Sequence, residues 1–276
     1  MEFKIDLHLH TKYSDGYYPP SEIVQKAKQA GLDIISITDH DNLSAVEEVT
    51  RLGKEIGIEV VPGVEISTDI EDKEVHLLGY FIDIHNEEFQ KYLTFFRHER
   101  YNRAQRIVKK LNNLGISVSF DHVISIANDS AIGRPHIATA LLEAGYISNF
   151  YEAFEKYIGN NCPAFERKIH VSPQSALKLI NDAHGLSFIA HPGFISERIL
   201  LSLINFGLDG IEVIHPSHNP SQIKFYRGIV NEYCLLASGG SDFHGGKRED
   251  ENNLGKYCIP YSDLEAMKKM LTNNSV

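Results

Sequence analysis

The chain has no tryptophan, and only three methionines and three cysteines among its 276 residues. Cys162, Cys234 and Cys258 are too few and too scattered for a disulfide framework or a thiolate zinc site, and are expected to be bystander thiols. No stretch approaches the roughly 18 continuous apolar residues of a membrane span. The start, MEFKIDLH, lacks the basic segment followed by an apolar one that marks a secretory signal. A cytoplasmic protein with no membrane partner is the expectation. Positive charge is also short: 27 Lys and Arg stand against 37 Asp and Glu, for a formal net charge of −10. That excludes a protein that coats nucleic acid through a general basic surface. It leaves room for a nucleotide in a cleft, where bound cations reverse the local field.

Histidine is what the chain has in excess, with 14 copies. The length suits one large α/β domain, or a core domain with an insertion. Strand-like and helix-like segments alternate from the start: FKIDLHLH, PPSEIVQKAKQAG, LDIISITDHD, NLSAVEEVTRLGKEIG, IEVVPGVEIST and KEVHLLGYFID. Ser21 and Ser44 read as helix N-caps, Gly31 and Gly57 as helix stops. This order predicts a largely parallel sheet, barrel-like or doubly wound. Between about Asn86 and Lys168 the pattern is helical with little strand, and the alternation then returns. Residues 1–85 and 169–276 are therefore read as one barrel and 86–168 as a helical insertion.

Many histidines stand where strand-like runs end: DLHLH, ITDHD, GVEIS, KEVHLLG, IAHPG, VIHPSH and GGSDFHG. In parallel α/β folds that edge carries the active site. His8 and His10, two residues apart on a strand, point the same way and can share a cation. Asp15, His40, Glu65, His76, His191, Asp242 and His244 add donors from other strand ends. Nine donors exceed what one ion needs, so two or three divalent ions with a bridging carboxylate are expected. Imidazole and carboxylate without thiolate suit zinc, manganese or iron. Closely spaced ions that activate water and grip a displaced oxygen are a device for phosphate ester hydrolysis.

The motifs DLHLHTKYSDG, ITDHD, GVEIS, EVHLLGY, IAHPG and SGGSDFHG resemble those of the PHP (polymerase and histidinol phosphatase) superfamily. The resemblance implies an α/β fold, a distorted (β/α)7 barrel with the helical insertion acting as a substrate cap. It implies three ions: His8, His10, Glu65 and Asp242 on the first, Glu65 with His76 and His191 on the second, and Asp15, His40 and His244 on the third. Asp15 stands where histidinol phosphatase-like relatives often carry histidine. AIGRPHIATALLEAG in the insertion is similar to the phosphoesterases that remove the 3′ phosphate of nucleoside 3′,5′-bisphosphates, some of which trim short RNA from its 5′ end. Arg134 and His136 would then overhang the site, Arg134 offering a planar fork to a phosphate. The implied partner is a small phosphorylated nucleotide or short RNA, with attack by a metal-bound hydroxide and no covalent nucleophile. Exonuclease action, histidinol phosphatase action and an inactive metal-stabilised binding module are the alternatives.

Smaller signals remain. His215 and His218 are candidates for substrate contact or for protonating the leaving oxygen. Arg167, Lys168 and His170 offer a grip for a second phosphate, or a solvated charged edge. Asp39 and Asp41 flank His40 and orient it or cap the next helix, capping being the reading for Asp41. The basic run RHERYNRAQRIVKK reads as a solvated helix face.

Overall fold

The computed structural model describes residues 3–274 apart from 72, 129, 168, 170 and 249. Among these, seven strands form one sheet in chain order. Strands β1 (Ile5–Leu9), β2 (Ile34–Ile37) and β3 (Glu59–Ile70) pair in parallel. Strand β4 (Lys73–Tyr80) runs antiparallel to β3 and to β5 (Leu186–Ile189), while β5, β6 (Gly210–Ile214) and β7 (Leu236–Gly239) are again parallel. The segment after β7 returns to β1: Phe243 bridges Leu9, and the His10 amide donates to the Phe243 carbonyl at 2.9 Å. The result is the distorted seven-stranded α/β barrel that the motifs implied. The largely parallel sheet needs correction at β4. A short turn at Glu71, whose φ of 52° is left-handed, joins β3 to β4, and strands joined so tightly must be antiparallel.

Helices α1 (Pro20–Gln29) and α2 (Val46–Ile56) cover β1 and β2. Helices α3 (Glu87–Asn113), α4 (Phe120–Ala127) and α5 (Arg134–Glu143) precede α6 (Pro173–Asp182), and α7 (Glu197–Asn205), α8 (Pro220–Glu232) and α9 (Tyr261–Asn274) complete the set. Each barrel helix buries one stripe at helical spacing, as in Ala176, Leu177 and Ile180 of α6 or Tyr226, Ile229 and Val230 of α8. Gly57 closes α2 in the left-handed conformation, as read. The N-caps differ from expectation. Helix α1 starts from Pro19 with Pro20 in its first turn, so Ser21 lies inside it. Ser44 is held by Asn42, whose side-chain oxygen accepts from both its amide (3.0 Å) and its hydroxyl (2.7 Å), and α2 begins after Ala45.

Two details of packing set up the site. The β1–β2 register shifts between Asp6 and Leu9. Ile5 and Leu7 consequently pack with Val61, Leu78, Tyr80 and Phe188, whereas Leu9 packs with the α1 and α2 residues Ile23, Val24 and Val49. Such an irregularity re-aims side chains at a strand end. The long helix α3 belongs to two cores. Phe89 and Leu93 join the barrel cluster, while Ala104, Ile107, Val108 and Leu111 join a separate cluster with Val123, Ile137 and Leu141 of α4 and α5. One rigid rod therefore carries the helical segment over the barrel mouth.

Candidate metal centre

Glu65 of β3, 1% exposed, lies at the middle of five imidazoles. Its Oε2 is 3.3 Å from His8 Nε2, 3.2 Å from His10 Nε2 and 3.3 Å from His40 Nδ1. Its Oε1 is 2.7 Å from His76 Nδ1 and 3.1 Å from His191 Nε2. Asp242 Oδ1 lies 3.3 Å and 3.2 Å from the Nε2 atoms of His8 and His10. Asp15 Oδ1 lies 3.2 Å from His244 Nε2 and 3.8 Å from His40 Nε2. Three groups thus gather donor atoms within 4.8 Å of one another: His8, His10, Glu65 and Asp242; His10, Asp15, His40 and His244; and His40, Glu65 and His76.

The backbone works to aim these groups. His191 and Asp242 both sit at positive φ, 31° and 48°, conformations that cost a non-glycine residue about 1–3 kcal/mol and persist where surroundings impose them. Glu212 of β6 supplies part of that imposition. It is fully buried, its Oε1 lies 2.7 Å from His8 Nδ1, and its Oε2 accepts from the His191 amide at 2.5 Å. Bonding Nδ1 of His8 turns Nε2 toward Glu65 and Asp242. Gly240 lets the chain leaving β7 lie against β1, because a Cβ there would stand 2.4 Å from the His8 nitrogen. Asp39 accepts from the Thr11 amide (2.7 Å) and the Ser14 hydroxyl (2.6 Å), and so pins the loop that carries Asp15.

Burial alone would push the Glu65 carboxyl up, but His40, His76 and His8 hold it well below the usual carboxylate range. Asp15, pushed up by burial in the same way, is pulled well down by Arg248, His244 and His40. Burial likewise works against charge on His10 and His76, yet Asp242 and Glu65 raise His10, and Glu65 raises His76, each to about 9. In the chain alone, protons on imidazoles are what offset this buried negative charge. Several site atoms nevertheless lack any well-directed hydrogen bond: Asp15 Oδ1, His40 Nδ1, His76 Nδ1 and His244 Nε2. Buried polar atoms are rarely left so. Convergent imidazole and carboxylate donors whose atoms are not all joined by well-directed hydrogen bonds fit divalent cations, and the donor set suits zinc, manganese or iron.

Above this floor lies a cavity of about 380 Å³. Its walls include four arginines, Arg100, Arg103 and Arg134 from the helical segment and Arg248 from the loop after β7, together with Phe150, Tyr151 and Phe154. Arg100 is fixed by Asp41, its Nε donating at 2.9 Å, and by the Ser67 hydroxyl at 2.8 Å. Arg103 donates to the Glu166 carbonyl at 2.8 Å, and burial with nearby Arg134 pulls its pKa down to about 10.

A PHP domain model matches residues 6–170, more than half of the chain. The chain belongs to the PHP domain family. This PHP protein is 32% identical over 250 residues to a 5′-3′ exoribonuclease of Haemophilus influenzae, covering 88% of this chain and 91% of that one. It is 31% identical over 275 residues to a 3′,5′-nucleoside bisphosphate phosphatase of Chromobacterium violaceum, covering 95% and 96%. Among solved structures, a Bifidobacterium adolescentis protein inferred to be a metal-dependent phosphoesterase superposes with a TM-score of 0.88 at 30% identity, covering 96% and 95%. The protein is a metal-dependent phosphoesterase, with a His/Asp/Glu cluster able to bind metals. Among the described residues, no helix is long and apolar enough to cross a membrane.

Within the PHP barrel the nine residues read as ligands all lie at the cluster, although His76 comes from mid-strand in antiparallel β4, opposite Ser67, and not from the end of a parallel strand. Arg134 lines the cavity and donates to Glu74 (3.2 Å) and Asn160 (3.3 Å). His136 is buried, its Nδ1 accepting from the Gly133 amide at 3.0 Å at the start of α5. His215 Nε2 stands 3.4 Å from Asp242 Oδ2, while His218 engages the Val213 carbonyl (3.0 Å) and the Gly193 amide (3.3 Å). Arg167 is exposed and does not line the cavity; Lys168 and His170 lie outside the described residues. Asp41 does not cap a helix: it accepts from the Ser67 amide at 3.1 Å and from Arg100. Arg100 and Arg103, read as part of a solvated face, turn into the cavity.

Sequence reasoning missed Glu212 and Arg248. A single carboxylate inside the apolar run GIEVI was the available signal for Glu212; nothing local marked Arg248, whose guanidinium pairs with Asp15 from 233 residues away. Glu212→Gln keeps the shape and removes the charge that orients His8. Metal affinity is expected to fall about 10–100-fold, read by titrating metal into stripped protein; unchanged affinity would remove Glu212 from this role. Gly240→Ala should lower thermal stability and metal content together, since the added methyl displaces His8.

Proposed function

We propose that the protein removes the 3′ phosphate of a nucleoside 3′,5′-bisphosphate, leaving the 5′-nucleotide. The observation that carries this reading is the donor cluster at the floor of a cavity whose walls carry four arginines and three aromatic rings. Its size suits one nucleotide, and the full-length similarity to a 3′,5′-nucleoside bisphosphate phosphatase supports it.

The residues divide the work. His8, His10, Glu65 and Asp242 would hold one ion, Glu65 with His76 and His191 a second, and Asp15, His40 and His244 a third. The two oxygens of Glu65 face different imidazole sets, which suits a bridging carboxylate. Divalent ions there supply Lewis acidity and an activated water for attack at phosphorus. Arg100, Arg103 and Arg134 fix the 5′ phosphate, a dianion that needs planar, permanently charged donors. Phe150, Tyr151 and Phe154 offer faces to the base and exclude water. His215, beside Asp242, is placed to hold a proton for the departing O3′.

The deciding experiment is phosphate release from adenosine 3′,5′-bisphosphate by manganese-reconstituted protein, with 5′-AMP identified as the product and histidinol phosphate run beside it. Hydrolysis of histidinol phosphate alone, or silence toward phosphate esters with metal demonstrably bound, overturns the reading; the second result would identify an inactive binding module. Arg134→Ala should raise KM for the bisphosphate about 10–100-fold, as expected for a lost charge-assisted contact, with metal content unchanged.

A further inference from the structure

Two carboxylates among the described residues line the cavity over the metal centre: Asp15, a member of the donor cluster, and Glu74, which is not. Glu74 stands on β4 two residues before His76, so the two side chains share one face of the strand. Its Oε1 lies 3.2 Å from His76 Nε2, and its Oε2 accepts from Arg134 Nη2 at 3.2 Å. The other ring nitrogen of His76, Nδ1, lies 2.7 Å from Glu65 Oε1, so this imidazole spans from the metal cluster to the arginine wall. Arg134 uses its second arm on Asn160, Nη1 donating at 3.3 Å, and its guanidinium lies 5.8 Å from the centre of the Phe154 ring. The Glu74 side chain is 41% exposed, and an ion pair this accessible to water is weak and exchangeable. A phosphate dianion is the stronger partner for a guanidinium, because it brings more charge to the same fork of donors.

We propose that Glu74 is an internal anion that couples nucleotide binding to the metal centre: it holds Arg134 while the cavity is empty, and turns its full charge on His76 once a nucleotide phosphate has taken Arg134. This rests on the phosphatase reading, in which Arg134 fixes the 5′ phosphate. The link is one carboxylate shared by two donors. A histidine that directs Nδ1 at a cation carries its hydrogen on Nε2, and a carboxylate accepting that hydrogen makes Nδ1 the better donor. With Arg134 in place, part of the Glu74 charge is already neutralised and the effect on His76 is blunted; a bound phosphate removes the blunting. Metal therefore binds more tightly with nucleotide present and, because coupling is reciprocal, nucleotide binds more tightly with metal present. Glu74 is a positioning residue in this scheme, acting on the reaction through His76 and Arg134. Its competition for Arg134 also screens the arginine against ligands with no more charge than a carboxylate.

Glu74→Gln and Glu74→Ala remove the charge from an exposed side chain, so both are expected to fold, with the melting temperature as the control. The probe is 5′-AMP, which carries the 5′ phosphate and lacks the scissile 3′ one. In calorimetry on metal-stripped protein, each variant should bind it about fivefold more tightly than wild type, because the internal competitor is gone. Arg134→Ala should abolish that gain, so that Glu74→Gln with Arg134→Ala binds 5′-AMP no tighter than Arg134→Ala alone. In manganese titrations without nucleotide, Glu74→Gln should lose about tenfold in affinity. The tightening of manganese binding that saturating 5′-AMP produces in wild type should shrink several-fold in the variant. A merely structural role would weaken both ligands together, whereas tighter nucleotide with weaker metal is the signature of the shared carboxylate. No gain in 5′-AMP affinity, a gain that survives Arg134→Ala, or equal nucleotide-dependent tightening in wild type and variant overturns the proposal. If any of these appears while wild-type protein hydrolyses adenosine 3′,5′-bisphosphate, Glu74 loses this role and the phosphatase reading stands. If metal-loaded wild type leaves the bisphosphate intact, the phosphatase reading itself fails and this inference falls with it.

Discussion

Glu65→Gln is expected to fold, to bind less metal, and to hydrolyse phosphate esters more slowly by on the order of a thousandfold or more, because in the proposed reading bound ions would activate the attacking water and Glu65 would help hold them. Size is conserved, so the effect comes from charge and donor sense. One carboxylate faces five imidazoles, through Oε2 on one side and Oε1 on the other. An amide presents one neutral oxygen and one N–H₂ group, and the N–H₂ aims hydrogens at imidazole lone pairs that would otherwise take a cation. Leaving buried His8 and His10 without their compensating charge adds to the cost. Metal content by elemental analysis and turnover of adenosine 3′,5′-bisphosphate check the result, with the melting temperature as the control for folding. A variant with wild-type metal content and full turnover would remove Glu65 from the centre of the site.

The second large effect is a stability of the metal-free protein that falls as pH rises while metal binding strengthens. His10 and His76 are raised to about 9 against an ordinary value of 6.5. A raised histidine stabilises the fold fully below about pH 6.5, and that contribution is lost as pH climbs through about 9. The metal-free protein should therefore become less stable across pH 6.5 to 9. Each group contributes on the order of 3 kcal/mol at most, by the free energy of a pKa difference. His40 behaves in the reverse sense: burial drives it down to about 3, so its contribution is present above pH 6.5 and falls away in acid. Cations compete with the protons on these same nitrogens, so metal binding releases protons and strengthens as pH rises. The gap in melting temperature between manganese-loaded and chelator-treated protein should widen steadily from pH 6.5 to 9. A constant gap would mean that the histidines carry no proton for a cation to displace.

Much of the site was legible because metal donors are chemically rare and cluster at strand ends. HLH, the DHD after β2, Glu65 in GVEIS and SDFH after β7 are local patterns, and a strand end places a short motif without help from distant chain. Asp41 was misread for the opposite reason. As a carboxylate just before a helix it had a local use, but its partners are the Ser67 amide and Arg100, one on β3 and the other on α3. Glu212 was overlooked because its task is defined only by where β6 lies relative to β1. The arginines on α3 carry the spacing of a solvated face; which of them meets water depends on how the helix lies across the barrel mouth.

The order of strands and helices, the place of the helical segment and the identity of the nine metal-capable donors are written in the sequence, because hydrophobic period and residue chemistry are local properties. Three things required the folded chain: the reversal of β4 that brings His76 to Glu65, the buried Glu212 that turns His8, and the meeting of Glu74 with His76 and Arg134 at the cavity wall. Each depends on contacts between segments far apart in the chain, and such contacts are set by packing, which no local pattern encodes.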